Sequence, residues 1–280
     1  MNEKDLIQKS LSGDKTALEK LIIKYRAYIY NIAWKMVLNR KDAEDITQEV
    51  LIKAITNLSK FKFESNFKTW LYRITANHFL DMKKSPMEYA ITSFNDYADA
   101  LRNIPDDNLS EIEQIEKAEF IEDAKIGCIS GMLLCLNRKE RIIYILAEIF
   151  QTDYKLSAQM LEMSYDNFRQ CLTRARKNLH SFMNSNCGLI NKQNTCRCYK
   201  KTKGFIELGW VNPHNLQFNV SHKRRIYQLS KRKAAQFNEI LDKEYSSLYL
   251  DCPFVEDFDK GSIIESVLKN KNIKEIFDLN

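Results

Sequence analysis

The sequence predicts an all-α protein in which two small helical domains are joined by an acidic linker and followed by a mostly helical C-terminal extension. Glycine and proline are scarce, with 7 and 4 among 280 residues, which is typical of helical chains. Apolar residues recur every three or four positions in several long segments, as on the buried face of a helix. The predicted boundaries are 1–84, 85–110, 111–186 and 187–280.

Charge is spread unevenly along the chain. The net charge is +6 over residues 1–84, −8 over 85–126, +3 over 127–186 and +5 over 187–280. Two basic blocks separated by an acidic one indicate two modules that bind polyanions, joined by a segment that avoids them.

The N-terminal sequence and the cysteine count indicate the cellular compartment in which the protein is expected. The chain shows no basic, apolar and small-residue succession typical of a secretory signal, and no apolar run that could cross a bilayer. Its seven cysteines are an odd number. We therefore expect a cytoplasmic protein with reduced thiols and no membrane insertion.

The first domain is predicted to be a helical bundle. An apolar stripe over residues 18–36 indicates one long helix, and a second helix over 42–58 opens with acidic residues that suit a helix N-terminus. On this second helix Asp45, Gln48 and Glu49 share one face, because they are three and four positions apart. Taken alone, this pattern also fits a solvated acidic surface.

A basic and aromatic connector follows, from Lys60 to Asn66, and leads into a third helix. Alternating cations and rings suit single-stranded nucleic acid, since cations hold phosphate and rings stack on unpaired bases. An ordinary helical hairpin with a solvated basic loop is the alternative. The candidate nucleic-acid contacts of the connector and helix are Lys62, Phe63, Asn66, Lys68, Arg73 and Asn77.

Residues 85–110 carry two prolines and adjacent aspartates without clear periodicity, and are predicted to form a flexible acidic linker. Residues 111–186 then end in a helix, a turn and a second helix. The outward face of that last helix fits the major groove of DNA, with early residues near base edges and later cations near phosphates. Its candidate contacts are Asn167, Arg169, Gln170, Thr173, Arg174, Arg176 and Lys177.

Two segments carry a family resemblance. DAEDITQEVLIKAI followed by FKTWLYRITANHFLD resembles the second conserved region of extracytoplasmic-function sigma factors, the promoter-recognition subunits of bacterial RNA polymerase. NFRQCLTRARKNL resembles the recognition helix of their fourth region. Two departures concern this second module: Glu162 stands where the family usually has glycine, so the turn is expected to be distorted, and Cys171 replaces a common arginine.

The resemblance implies a role for each candidate surface. Asp45, Gln48 and Glu49 would dock on the polymerase, the connector and third helix would bind the melted minus-ten element, and the last helix would read the minus-thirty-five element. It implies core RNA polymerase and promoter DNA as partners, an anti-sigma factor as a further one, and neither enzymatic activity nor a required cofactor. A polymerase-independent helix-turn-helix regulator with a metal- or redox-sensing tail is the alternative.

The extension from residue 187 begins with CGLINKQNTCRCYKKTKGF, which resembles a cysteine-bearing extension of some of these sigma factors. Cys187, Cys196, Cys198 and His180 could supply the four ligands of a structural or sensory zinc ion. The spacing matches no common zinc pattern, and three reduced thiols in a basic loop are the alternative. Further helices are predicted over 221–248, SIIESVLKN and IKEIFDL, with a regulatory role through docking onto the helix-turn-helix.

Overall fold

The computed structural model describes residues 2–91, 93–214, 216 and 260–277. These residues form helices and connecting turns, and no β-strand occurs among them. The predicted all-α class is confirmed. Of the helices in the described ranges, none is both long and apolar enough to cross a membrane.

The helices are numbered in chain order. The first four are α1 (Glu3–Leu11), α2 (Lys15–Val37), α3 (Arg40–Thr56) and α4 (Phe67–Asp81), with a 3₁₀ turn at Leu58–Lys60. They are followed by α5 (Pro86–Ala90), α6 (Phe94–Asn103), α7 (Glu111–Glu116), α8 (Ala118–Leu134) and α9 (Arg138–Tyr144), which continues as a π turn at Ile145–Ile149. The remainder are α10 (Tyr154–Met160), α11 (Tyr165–Asn186), α12 (Cys198–Glu207), α13 (Lys260–Lys269) and α14 (Lys271–Phe277).

Short polar side chains begin many of these helices. The side-chain oxygens of Asp14, Asn39 and Asn66 accept hydrogen bonds from backbone N–H groups in the first turns of α2, α3 and α4. Such caps satisfy donors that would otherwise lack an intrahelical partner, and each contributes about 1 kcal/mol. The sequence thus specifies where the helices of the first bundle start.

The chain divides into two compact units. The first contains residues 1–87, 154–165 and the C-terminal helices, and the second contains 88–153 and the described residues from 166 to 216. In the first unit α2 packs against α1, α3 and α4, and α13 and α14 pack on α3. Helix α10 groups with this first unit, whereas the predicted boundaries put it with residues 111–186.

The closing helices α13 and α14 lie where SIIESVLKN and IKEIFDL predicted them. They bury Ile263, Val267 and Ile273. Both helices contact α3, and α13 also contacts α2; α2 and α3 belong to the first domain. The sequence instead predicted that the extension docks onto the helix-turn-helix. The helix predicted over 221–248 lies outside the described residues.

The segment expected to be a flexible linker is largely helical. Helix α6 buries Tyr97, Ala98 and Leu101, and Ile104 follows them into the core of the second unit. The Tyr97 hydroxyl donates a hydrogen bond to the carbonyl of Cys128 on α8 at 2.9 Å. Three buried side chains and one tertiary hydrogen bond therefore hold this short helix in place.

An ion cluster fixes the start of the second unit. Glu88, with a side chain only 2% exposed, accepts hydrogen bonds from Arg138 at 3.0 and 2.6 Å and from Arg141 at 3.0 Å. Arg141 also donates to the carbonyls of Leu134 and Leu136. Burial lowers the pKa of Arg141, and the neighbouring Glu88 carboxylate opposes this effect. The cluster ties α5 to α9.

Candidate nucleic-acid interface

The acidic face of α3 is presented on a rigid support. Asp45 and Glu49 are exposed and Gln48 is half-buried, while the opposite side of the helix packs in the bundle core. Exposure of the two carboxylates persists although α13 and α14 pack on the same helix. The face is therefore available to a partner with the closing helices in place.

His78 on α4 connects with this face. Its Nε2 lies 3.5 Å from Oε2 of Glu49, and its Nδ1 lies 2.7 Å from Nζ of Lys53. Burial lowers the pKa of His78, and the nearby Lys53 lowers it further. A neutral ring accepts a hydrogen bond from Lys53 at Nδ1 and faces the Glu49 carboxylate with Nε2. His78 therefore lies between Lys53 and Glu49 beneath the α3 surface.

The connector between α3 and α4 divides its aromatic residues between core and surface. Phe61 is 7% exposed and packs against Phe67 and Trp70, with ring centroids 5.2 and 5.5 Å away. Phe63 is 42% exposed, 4.8 Å from the Phe61 ring, and has a φ of 59°. An aromatic residue in this left-handed region is uncommon. The backbone here turns the Phe63 ring outward beside the exposed Lys62.

The candidate residues at the start of α4 have structural partners. The Asn66 side chain caps the helix by accepting from the Thr69 N–H at 3.2 Å. The Lys68 ammonium lies 4.1 Å from the Tyr28 ring centroid, and partial burial lowers its pKa. Further along, Arg73 is exposed and Asn77 is half-buried, one turn apart. Lys62, Phe63 and Arg73 are thus the residues of this group most open to a ligand.

In α11 the outward face contains the expected polar residues, and the side chains of Phe168, Cys171 and Leu172 are buried. The exposed members are Asn167, Arg169, Gln170, Thr173, Arg174 and Lys177. Thr173 Oγ1 donates to the Arg169 carbonyl at 2.9 Å, so its hydroxyl is engaged within the helix.

Two arginines of α11 are engaged by acidic residues of the same unit. Arg176 donates to Oε1 of Glu148 from Nε at 3.2 Å and from Nη2 at 2.6 Å, and the Glu148 side chain is only 8% exposed. Arg174 lies 3.3 Å from Glu140 and donates to Sγ of Cys171 at 3.0 Å. Because Arg176 serves a nearly buried carboxylate, it is committed to packing, whereas Lys177 is exposed.

The turn before α11 accommodates the residue that departs from the family pattern. Glu162 has a φ of 51°, the left-handed conformation that glycine adopts without strain. The turn is closed by hydrogen bonds from the Leu161 N–H to the Ser157 carbonyl and from the Met163 N–H to the Ala158 carbonyl. A non-glycine residue here costs on the order of 1 kcal/mol. The turn is hydrogen-bonded and not opened by the substitution.

The cysteines of the extension converge, but His180 does not join them. Cys187, Cys196 and Cys198 line one small cavity together with Cys128 of α8, and His180 is not among its lining residues. Among the residues that the structure describes, no three His, Cys, Asp or Glu side chains are already arranged to hold a metal ion. Sequence reasoning missed Cys128 because it lies in a separate helix, far from the other cysteines along the chain.

The chain is similar in sequence to known proteins over the region that contains these surfaces. Residues 21–85 match the family model for Sigma-70 region 2. The RNA polymerase sigma-H factor of Pseudomonas aeruginosa is 28% identical over 179 residues, which are 62% of this chain and 90% of that protein. The ECF RNA polymerase sigma factor SigW of Bacillus subtilis is 38% identical over 88 residues, 31% of this chain and 47% of that protein.

Among solved structures, this chain is similar to the structure of CnrH in complex with the cytosolic domain of CnrY. The match covers 65% of this chain and 97% of the solved chain, with 18% sequence identity and a TM-score of 0.44. The region 2 match covers α3, the connector and α4, where the exposed acidic face and the outward Lys62 and Phe63 lie. Together with the sigma-H factor, which aligns over 90% of its own length, this match identifies a Sigma-70 region 2 in the chain and makes the chain similar to RNA polymerase sigma factors.

Proposed function

We propose that this protein is a sigma factor that binds core RNA polymerase and directs promoter recognition and transcription initiation. The observation that carries the proposal is the Sigma-70 region 2 match over residues 21–85, on a bundle with both an acidic face and a basic aromatic connector. In this proposal the protein is a DNA-binding regulatory subunit and not an enzyme, and promoter recognition needs no cofactor.

Docking on core polymerase is assigned to Asp45, Gln48 and Glu49. The two carboxylates are exposed, and Glu49 lies 3.5 Å from Nε2 of the buried His78. The negative charge of this face favours a basic partner surface and speeds the encounter with it.

Recognition of the melted minus-ten element is assigned to Lys62, Phe63, Asn66, Lys68, Arg73 and Asn77. The exposed Phe63 ring offers a face for an unpaired base, and Lys62 and Arg73 offer charge for phosphate. Asn66 and Lys68 contribute mainly to the shape of the binding surface, because Asn66 caps α4 and the Lys68 ammonium lies over the Tyr28 ring.

The minus-thirty-five element is assigned to the outward face of α11. Arg169 and Gln170 lie in the early turns, where a recognition helix reaches base edges, and the exposed Lys177 lies two turns later, where phosphates pass. Asn167 and Thr173 flank the base-reading pair, and Arg174 adds charge. Arg176 supports the helix through Glu148 and so contributes less to DNA.

The extension after residue 187 is assigned a regulatory role. Helix α12 belongs to the second unit and packs on α8, and α13 and α14 belong to the first and pack on α3. An anti-sigma factor is a candidate further partner, and it would act by competing for the α3 face or for α11.

Electrophoretic band shifts separate this proposal from the alternative of a free-standing helix-turn-helix regulator. The proposed sigma factor shifts promoter duplex only together with core polymerase, whereas a free-standing regulator shifts it alone. An Asp45→Lys/Glu49→Lys variant should lose the core-dependent shift. Strong binding of duplex by the protein alone, unaffected by that variant, would favour the regulator.

A further inference from the structure

Four cysteines from separate positions along the chain meet at one small cavity. Cys128 lies on α8, Cys187 directly follows α11, Cys196 lies in the loop, and Cys198 is the first residue of α12. All four are free thiols. The cavity is small, with a volume of about 20 Å³, which is room for a single small occupant.

The loop that carries two of these cysteines is closed by specific contacts. A Cβ on Gly188 would lie 2.2 Å from the Cys196 carbonyl oxygen and 1.8 Å from Nη1 of Arg197, so only glycine lets the two arms of the loop approach this closely. Arg197 donates to the Cys196 carbonyl at 2.9 Å, and Asn194 donates to the Cys187 carbonyl at 3.1 Å. The loop thereby brings Cys187 and Cys196 to the same cavity.

Backbone groups oppose part of the effect of burial at one of the sulfurs. The N–H groups of Leu189 and Ile190, two and three residues after Cys187, lower the pKa of its thiol, because such donors favour the charged form. Polar groups beside a ligating sulfur are common at metal sites.

The surroundings of the cavity keep the thiols protonated when no cation is present. Burial raises the pKa of Cys128, Cys187 and Cys196, and raises that of Cys198 to about 12. For Cys128, Cys196 and Cys198, neighbouring cysteines of the group add to this effect. A bound divalent cation reverses this balance, since each ligating thiol gives up its proton to solvent and becomes a thiolate.

Basic residues beside the group would offset the negative charge of such thiolates. Lys125 acts on Cys198, and Arg197 and Lys201 act on Cys196. Lys201 itself lies 3.0 Å from Asp106 and donates to the Ile104 carbonyl. The four cysteines therefore have basic side chains on more than one side.

We propose that Cys128, Cys187, Cys196 and Cys198 bind one structural Zn²⁺ ion. Four sulfur ligands complete the tetrahedron that structural zinc prefers and leave no open position for catalysis. Among the described residues no three such side chains are already arranged to hold a metal, so binding requires the cysteine side chains to rotate until each sulfur lies about 2.3 Å from the ion. Cys128 takes the place that the sequence suggested for His180, and zinc then fastens α8 to the extension, where α12 already packs.

The test is the metal content of the full-length protein, purified without chelators from zinc-supplemented cells, with Co²⁺ substitution to report the ligands. We expect one zinc per chain and a tetrahedral, sulfur-rich Co²⁺ spectrum. Cys128→Ser should lose both, whereas His180→Ala and the matched control Cys135→Ser should retain them. Sub-stoichiometric zinc in the wild-type protein, or full zinc retention in Cys128→Ser, would overturn the proposal.

Alkylation of the wild-type protein keeps the test decisive if Cys128→Ser does not fold. With zinc bound, mass spectrometry should find these four thiols protected from maleimide, and a chelator should make all four reactive together. The zinc site would be excluded if the chelator did not change the maleimide reactivity of the four thiols. It would also be excluded if protein purified without reductant contained a disulfide between two of them.

Discussion

Replacing Glu88 with alanine should destabilise the second unit strongly. The substitution leaves Arg141, 3% exposed, without its carboxylate partner, although its hydrogen bonds to two carbonyls remain. Removing one member of a buried pair costs about 3–5 kcal/mol. Arg138 is 12% exposed and regains some hydration, so we expect about 3 kcal/mol, at the lower end of that range.

Hydrogen exchange measured by mass spectrometry suits this prediction, because it reports the two units separately. Peptides from α9 should lose protection in Glu88→Ala, while peptides from α2 keep theirs. Asp99→Ala is the matched control, since Asp99 pairs with Arg102 on the surface and both side chains are 63% exposed; such pairs contribute at most about 1 kcal/mol. Equal α9 protection in the two variants would refute the role of the buried cluster.

Three further predictions follow from the candidate surfaces. Asp45→Lys/Glu49→Lys should weaken binding to core polymerase at least tenfold, on the order of 1.4 kcal/mol; a pull-down at wild-type strength, with an unchanged circular dichroism spectrum, would contradict the docking assignment. Arg169→Ala should cost about 1–3 kcal/mol and relax preference at one promoter position, whereas Lys177→Ala should weaken all sequences alike and flatten the salt dependence; identical selectivity profiles from a binding-site selection would argue against this division. His78 has a lowered pKa in the folded state, so the unfolded chain binds more protons below about pH 6.5, and the stability of the first unit should fall as the pH drops below that value. The free energy of urea unfolding should depend less on pH in His78→Gln than in the wild-type protein. An equal pH dependence in the two proteins would count against a buried neutral ring.

The first bundle was predictable because local signals agree there. Apolar stripes fix the buried faces of α2, α3 and α4, and Asn39 and Asn66 cap the last two of these helices. The sequence pattern also identified Lys62 and Phe63 as candidate contacts, but it did not show that Phe61 is buried while Phe63 is exposed. What the pattern did not reveal is that Asn66 and Lys68 have structural partners, because a cap and a cation–aromatic contact use the same residue types as a DNA contact.

The predicted linker shows where sequence reasoning stopped. Helix α6 has only a short apolar stripe among polar residues, so its periodicity is weak, and its stability comes from tertiary burial of Tyr97 and Leu101. Glu88 looks like one more acidic linker residue until Arg138, 50 positions later, is seen to bind it. Local sequence carries no sign of that pairing.

Long-range pairs also account for what was missed at the candidate sites. Arg176 looked like a phosphate contact, but its partner Glu148 lies 28 positions earlier on a different helix. Cys128 could have been considered from the cysteine count alone, yet only the fold brings it to the three cysteines of the extension. Faces of single helices were thus predictable, and pairings between distant helices were not.

Transcription from genomic DNA fragments by core RNA polymerase, with and without the full-length protein, tests the central claim most directly. Mapped RNA 5′ ends should fall at a limited set of positions only when the protein is present, and their upstream DNA should share two elements at fixed spacing. An Arg169→Ala protein should change the base preference in the upstream element alone. Initiation with the protein that matches core polymerase alone, in both position and amount, would contradict the assignment of this chain as a promoter-specificity subunit.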